Sequence, residues 1–320
     1  MLFQRLLSAF ASSSAVAHAI TKGPTPSQIK NLVTFGDSFS DVVQTGDHAT
    51  AWPVYAADYG HYHLFPYAKY GAPCSTKQIQ IPYPSLLESQ IPSYEDGIAN
   101  GSLSMLHPDD TMYTLWIGAN DIGGWGLLTG EAAQNVTLVD IVQCTMEWVE
   151  VLYKSGARYF LFQNLPPLEH TINYGAVSYP NLYWTAQRNQ TDWHLTMTQY
   201  VAAGNELSSL MLKNLASTLP DIHIGLFDSY KLISDMLAHP QDYLNGTAPV
   251  NTTGAIHSCV YELNESTSDT GNCTIVTGSD VDSYLWYDEV HPSEQTDRII
   301  ARELVAGIER RSDNWTTWFS

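Results

Sequence analysis

Positive charge is scarce in this sequence: 14 Lys and Arg face 33 Asp and Glu across 320 residues, for a formal charge of −19. With no basic patch to neutralise phosphates, nucleic acid and anionic membrane surfaces are disfavoured as partners, and neutral or cationic ones fit better. Past the N-terminus no apolar run approaches the ~18 residues of a membrane span, so no membrane anchoring is expected. Cysteine is sparse too: Cys74, Cys144, Cys259 and Cys273 include no C-x-x-C pair, which disfavours a zinc site or a thiol nucleophile. His61-Tyr62-His63 has no third ligand spaced to join it, so no metal is expected there either. There is no fixed-period repeat, and no window fits G-x-S-x-G.

What the chain does have is 44% hydrophobic residues, ample for a large core, and α/β folds often run this long as one domain. It opens MLFQRLLSAFASSSAVAHAITKG, with Arg5, an apolar run and Ala17-His18-Ala19. That pattern predicts a signal peptide over residues 1–19, leaving 20–320 as a single mature domain; a buried N-terminal helix is the competing reading. N-x-S/T sequons at Asn100, Asn135, Asn189, Asn245, Asn251, Asn264, Asn272 and Asn314 point the same way, to a secreted, extracellular eukaryotic glycoprotein carrying N-linked glycans. In an oxidising compartment four cysteines allow three pairings. Cys259–Cys273 is favoured because it closes a short polar loop with little core of its own, and Cys74–Cys144 then remains.

Short β-rich apolar runs ending in Gly or Pro occur at 31–36, 111–118 and 157–167, and 221–228 likewise reads as a strand; residues 62–71 form a poorer strand, interrupted by Pro66. Helical spacing occupies 138–154, 191–219 and 293–311, the last with Ser293 as a plausible N-cap. Such alternation predicts an α/β fold with a parallel sheet covered on both faces. Residues from about 239 to 283, rich in Asn, Thr and Gly, break the pattern and read as a glycosylated surface excursion.

In these sheets ligands bind beyond the carboxyl ends of the strands. After the first strand comes Gly36-Asp37-Ser38-Phe39-Ser40-Asp41, where a hydroxyl meets backbone N–H groups near a helix start. After the second comes Gly71 in YGAPCS, and after the third, Gly118-Ala119-Asn120-Asp121. Singly these are a cap, a turn glycine and an Asx turn. Together, the Ser38 amide, Gly71 and Asn120 would make a three-donor pocket for an oxyanion. YDEVHPS (287–293) adds a D-x-x-H pair whose side chains project from one side of a turn. Asp288 would hold one nitrogen of His291 protonated and leave the other free to take the Ser38 proton, which a weak hydroxyl nucleophile requires. If Pro292 and the turn already orient the ring, Asp288→Asn is expected to be milder than loss of His291.

These blocks together resemble the GDSL (SGNH) hydrolase family: VTFGDSFSD its nucleophile block, the Gly of YGAPCS its oxyanion glycine, IGAND its G-x-N-D block and YDEVHPS its D-x-x-H block, with NLPP at 164–167 a further similarity. The resemblance implies a flavodoxin-like three-layer α/β/α sandwich with about five parallel strands. It also implies Ser38 as nucleophile, His291 as base, Asp288 as its partner, and Ser38, Gly71 and Asn120 as oxyanion donors, with no cofactor. Where many members place Gly-Asn after Asp41, this chain has DVVQTGDH, which leaves the loop beside Ser38 without a family template. The secretory signal, sequons, acidity and SYLWYDEVHPS are most similar to fungal secreted acetylesterases of carbohydrate esterase family sixteen. The expected substrate is therefore an acetylated, hemicellulose-derived xylo- or manno-oligosaccharide, acted on by a monomer. Trp52 and Trp125, among 9 Trp and 19 Tyr, are candidates for stacking on sugar rings, with ordinary packing the alternative. A GDSL-type lipase or broad carboxylesterase, and a catalytically silent sugar-binding protein on the same scaffold, are the other two readings.

Overall fold

The computed structural model describes residues 23–269, 271–312 and 314–320. The expected signal peptide, with Arg5 and His18, lies outside the described residues. Five parallel strands form the centre: β1 (Asn31–Gly36), β2 (His63–Pro66), β3 (Thr111–Trp116), β4 (Tyr159–Gln163) and β5 (His223–Phe227). Residues 251–286 carry four short strands outside this sheet, β6 (Asn251–Ala255), β7 (His257–Val260), β8 (Asn272–Ile275) and β9 (Tyr284–Trp286). The last strand, β10 (Thr316–Trp318), pairs antiparallel with β5, so the sheet reads β10-β5-β4-β3-β1-β2. This is the expected α/β sandwich with one strand added at its edge.

Every residue of β1 and β3 is buried, as a sheet covered on both faces requires. One face, through Leu32, Met112 and Leu161, meets α1 (Trp52–Gly60) and α7 (Glu294–Ile308); α6 (Ser229–Ala238) packs there too. The other, through Val33, Tyr113 and Phe160, meets α2 (Ile91–Ala99), α4 (Leu138–Lys154) and part of the long α5 (Gln190–Thr218). A single turn of helix, α3 (Ala119–Ile122), follows β3. Ser293 caps α7 as expected, accepting the Thr296 N–H at 3.2 Å. Thr137 and Asp140 make a capping box on α4. Pro66 ends β2 at the sheet edge, where a missing donor costs no ladder bond.

Both disulfides form as expected. Cys74–Cys144 ties the segment after β2 to α4, and Cys259–Cys273 clamps β7 to β8. The 239–283 excursion is thus more ordered than its polar composition suggested. β6 pairs with β9, which carries the chain into YDEVHPS. Among the described residues no helix is long and apolar enough to cross a membrane.

Candidate active site

The chain leaves β1 toward β2 and returns on the other side to β3, so β1 is where strand order reverses. A crevice opens at such a point beyond the strand carboxyl ends. Ser38 stands two residues past β1, Gly71 follows β2 and Asn120 opens α3 after β3. His291 arrives from the far end of the chain on a bend after β9, held by the Tyr287 N–H donating to the His291 carbonyl at 2.9 Å.

These residues meet. His291 Nε2 lies 2.7 Å from Ser38 Oγ, and Nδ1 lies 3.1 and 3.0 Å from the two Asp288 carboxylate oxygens. Asp288 Oδ1 also accepts the N–H groups of Val290 (2.8 Å) and His291 (2.7 Å), so one carboxylate both builds the turn and orients the ring. Ser38, Asp288 and His291 are all buried. Burial works to raise Asp288, but the His291 charge and the donors around it prevail and hold the carboxyl below its usual range. Burial likewise works to lower His291, and here the Asp288, Asp37 and Asp47 charges prevail, so the imidazole is raised above its ordinary 6.5. An imidazole poised in this way can take a proton from Ser38 and keep it while an adjacent oxyanion forms.

Three candidate donors for such an oxyanion, Ser38, Gly71 and Asn120, line the same cavity of about 100 Å³. Among the described residues the Ser38 and Gly71 N–H groups donate to no protein acceptor. Asn120 Nδ2 gives one hydrogen to the Ala72 carbonyl at 3.0 Å, which fixes the amide and leaves the second hydrogen available. Gly71 sits at φ +70°, and a Cβ there would come within 2.6 Å of the Tyr83 ring, so glycine is required twice over. Two acidic residues of the same sequence blocks hold the donors in place. Asp41 Oδ2 accepts the Tyr70 N–H at 2.8 Å, and Asp121 accepts the Cys74 N–H at 2.9 and 3.1 Å. Asp121 and Asp37 are pushed up to about 7 by burial.

A family model for GDSL-like lipases and acylhydrolases matches residues 32–304. The chain belongs to that family. It is 27% identical to an acetylesterase from Hypocrea jecorina over 95% of this chain and 96% of that protein. It is 23% identical to an acetylesterase from Thermothelomyces thermophilus, over 73% of this chain and 66% of the other. An acetylxylan esterase of known structure from Geobacillus stearothermophilus is 12% identical, with 90% of this chain and 96% of that one covered at a TM-score of 0.42. As a GDSL family member the protein is a carboxylic ester hydrolase.

The departure after Asp41 now has a structural meaning for this GDSL protein. Gly46 donates its N–H to the Ser38 carbonyl at 3.3 Å and lies flat against His291. A methyl group there would sit 2.2 Å from His291 Cδ2 and 2.8 Å from Nε2. Gly46→Ala is therefore expected to displace the ring and to lower kcat toward ~10²-fold, the scale set by misplacing a reacting group by about 1 Å. Steady-state kinetics beside a melting curve check this, and unchanged kcat would count against the packing described.

Of the two tryptophans singled out in the sequence, one is wrongly assigned to the substrate. Trp52, the first residue of α1, is fully buried in the core, with its indole N–H donating to Ser40 Oγ at 3.1 Å. α1 begins on Trp52 and turns it inward, so ordinary packing, the alternative reading, holds for this residue. Trp125 is 54% exposed and lines the Ser38 cavity, braced by Trp184 at 5.3 Å between ring centroids. His61 and His63 are exposed. Two cleft residues were missed from sequence: Tyr83, 42% exposed opposite Gly71, and Tyr183, whose hydroxyl reaches Asp288. Nothing in their local sequence separates them from the other tyrosines.

Proposed function

We propose that the protein is a secreted acetylesterase that removes acetyl groups from hemicellulose-derived xylo- or manno-oligosaccharides through an acyl-enzyme. The observation that carries this reading is the 2.7 Å contact between Ser38 Oγ and His291 Nε2 beside a cavity of only about 100 Å³. Two relatives named acetylesterases agree with it. Ser38 attacks the acetyl carbonyl carbon while His291 Nε2 takes its proton. The Ser38 and Gly71 amides and the Asn120 side chain receive the oxyanion. As the tetrahedral adduct collapses, the bond to the sugar oxygen breaks and that oxygen leaves with the proton from His291. Water then repeats the sequence on the acetyl-enzyme, releasing acetate and restoring the serine.

A confined acyl site beside exposed aromatic rings suits a small acyl group on a large polar alcohol. Trp125 and Tyr83 offer faces on which a sugar ring can stack. Two disulfides and the exposed sequon residues Asn100, Asn135, Asn189, Asn245, Asn264, Asn272 and Asn314 favour passage through a secretory pathway as a glycosylated monomer. The eighth sequon residue, Asn251, is half-buried at the start of β6.

Chain-length profiling tests the reading. Activity is expected to fall steeply from p-nitrophenyl acetate to the octanoate, and acetate to be released from acetylated xylo- or manno-oligosaccharides. A profile rising toward octanoate would replace it with a lipase or broad carboxylesterase. Failure of an organophosphate to label Ser38 would favour a silent sugar-binding protein.

A further inference from the structure

Tyr183 stands on the wall of the cleft in a segment that sequence analysis left unassigned. A tight turn presents it. Asn181 and Trp184 exchange backbone hydrogen bonds of 3.0 Å, and the buried Asn181 side chain accepts the Tyr183 N–H at 3.0 Å. Trp184, next in the chain, packs against Trp125 at 5.3 Å and Trp193 at 5.2 Å, which braces the turn from outside. The phenol donates its hydroxyl to Asp288 Oδ2 at 2.5 Å, and its oxygen lies 3.0 Å from His291 Nδ1. The ring is tilted against the imidazole at 5.7 Å.

We propose that Tyr183 is a positioning residue of the esterase, which holds the Asp288 carboxylate against His291 and sets how strongly that carboxylate attracts the imidazole proton. The inference rests on the reading of Ser38, His291 and Asp288 given above. Its physical basis is the partition of Asp288's hydrogen-bonding capacity. Oδ1 is taken by two backbone N–H groups and Nδ1, whereas Oδ2 has Nδ1 and the phenol. Without the phenol, Oδ2 loses the one donor besides the imidazole that it has among the described residues, and the negative charge it had dispersed falls on His291. The carboxylate is then held by the two backbone N–H groups on Oδ1 and is freer to turn about that oxygen, and the imidazole that faces it is less tightly oriented.

Other ionisable groups face this cluster. Asp37 comes from the turn after β1, Asp47 from the loop that carries Gly46, Tyr70 from the end of β2 and Glu289 from the bend itself. Asp37 and Glu289 are both pushed up to about 7 by burial, toward the range in which an imidazole titrates. The informative quantity is therefore the difference between two pH profiles, not either profile alone.

Tyr183→Phe keeps the ring and its packing and removes only the hydroxyl. The acid limb of kcat/KM reports protonation of His291, which must be neutral to act as base. Removing a donor from Asp288 strengthens its hold on the imidazolium and raises the His291 pKa further, so the limb is expected to move to higher pH. The shift should be roughly half to one pH unit, the scale of one hydrogen bond on a carboxylate. At the pH optimum kcat for p-nitrophenyl acetate should fall about tenfold through looser ring orientation, with KM changed less than about twofold. An acid limb that coincides with that of the parent enzyme overturns the proposal. So does a rise in KM at unchanged kcat, which would make Tyr183 a wall of the cleft and no more. Activity surviving in Ser38→Ala would instead overturn the reading of the site itself, so the two failures are distinct.

Discussion

Ser38→Ala is expected to lower kcat for p-nitrophenyl acetate by about 10⁴–10⁶-fold, with His291→Ala and the double variant falling to nearly the same floor. The two side chains form one device. With Ser38 Oγ 2.7 Å from Nε2, His291 is, among the described residues, the base within hydrogen-bond reach of the hydroxyl, and Ser38 is the hydroxyl set to give that base its proton. Removing either abolishes the acyl-enzyme route, and what remains is the smaller acceleration supplied by the oxyanion donors and binding. Melting temperatures should stay close to the parent value, because Ser38 contributes little buried apolar surface. Activity in Ser38→Ala within tenfold of the parent would dispose of the serine mechanism. The same geometry revises the expectation for Asp288. Its Oδ1 holds the Val290 and His291 N–H groups, and an Asn carbonyl could keep both. The Asn amide would then point a donor at Nδ1, which forces the wrong tautomer and leaves no free lone pair at Nε2. Asp288→Asn should therefore approach His291→Ala, at about 10⁴-fold, and not be the milder change that the turn alone suggested.

Asn120→Ala is expected to reduce kcat by roughly 10²–10³-fold, with a much smaller effect on KM. An amide fixed by its bond to the Ala72 carbonyl is already aimed when the oxyanion forms, so no reorganisation is needed at that moment. Its interaction strengthens as the carbonyl oxygen becomes negative, which is why the loss should fall on kcat. Labelling of Ser38 by an organophosphate should slow in parallel, since that adduct also develops charge toward the same donors. A change confined to KM would mean that Asn120 binds ground-state substrate and does not serve the oxyanion.

Much of the scaffold was legible before any coordinates. β1, β3, β4 and β5 are short runs rich in apolar, β-branched or aromatic residues, the first three followed within a few residues by Gly or Pro, and those local features mark a buried strand. α4 and α7 carry their own caps and apolar spacing. β10 could not be seen in the same way. Three residues, Thr316–Trp318, have no periodicity to read and are a strand only because β5 offers them a free edge. α1 was missed because nine residues opening on Trp52-Pro53 carry no clear apolar stripe.

The site divides along the same line. Ser38, Gly71, Asn120, Asp288 and His291 were readable because each stands in a short block whose residue types suit one chemistry, at places where strands end. That information is local, and a linear chain records it. Trp52, Trp125, Gly46 and Tyr183 were decided only by tertiary structure. Whether an indole faces the core or the cleft depends on the helix that carries it, and whether a glycine's missing side chain matters depends on the imidazole that arrives 245 positions later. The sequence by itself therefore nominated the groups that meet beyond the strand ends, and determined the sheet that brings them together. Which side chains orient, wall and seal the cleft was left to packing, because contacts between residues far apart in the chain leave no local signature.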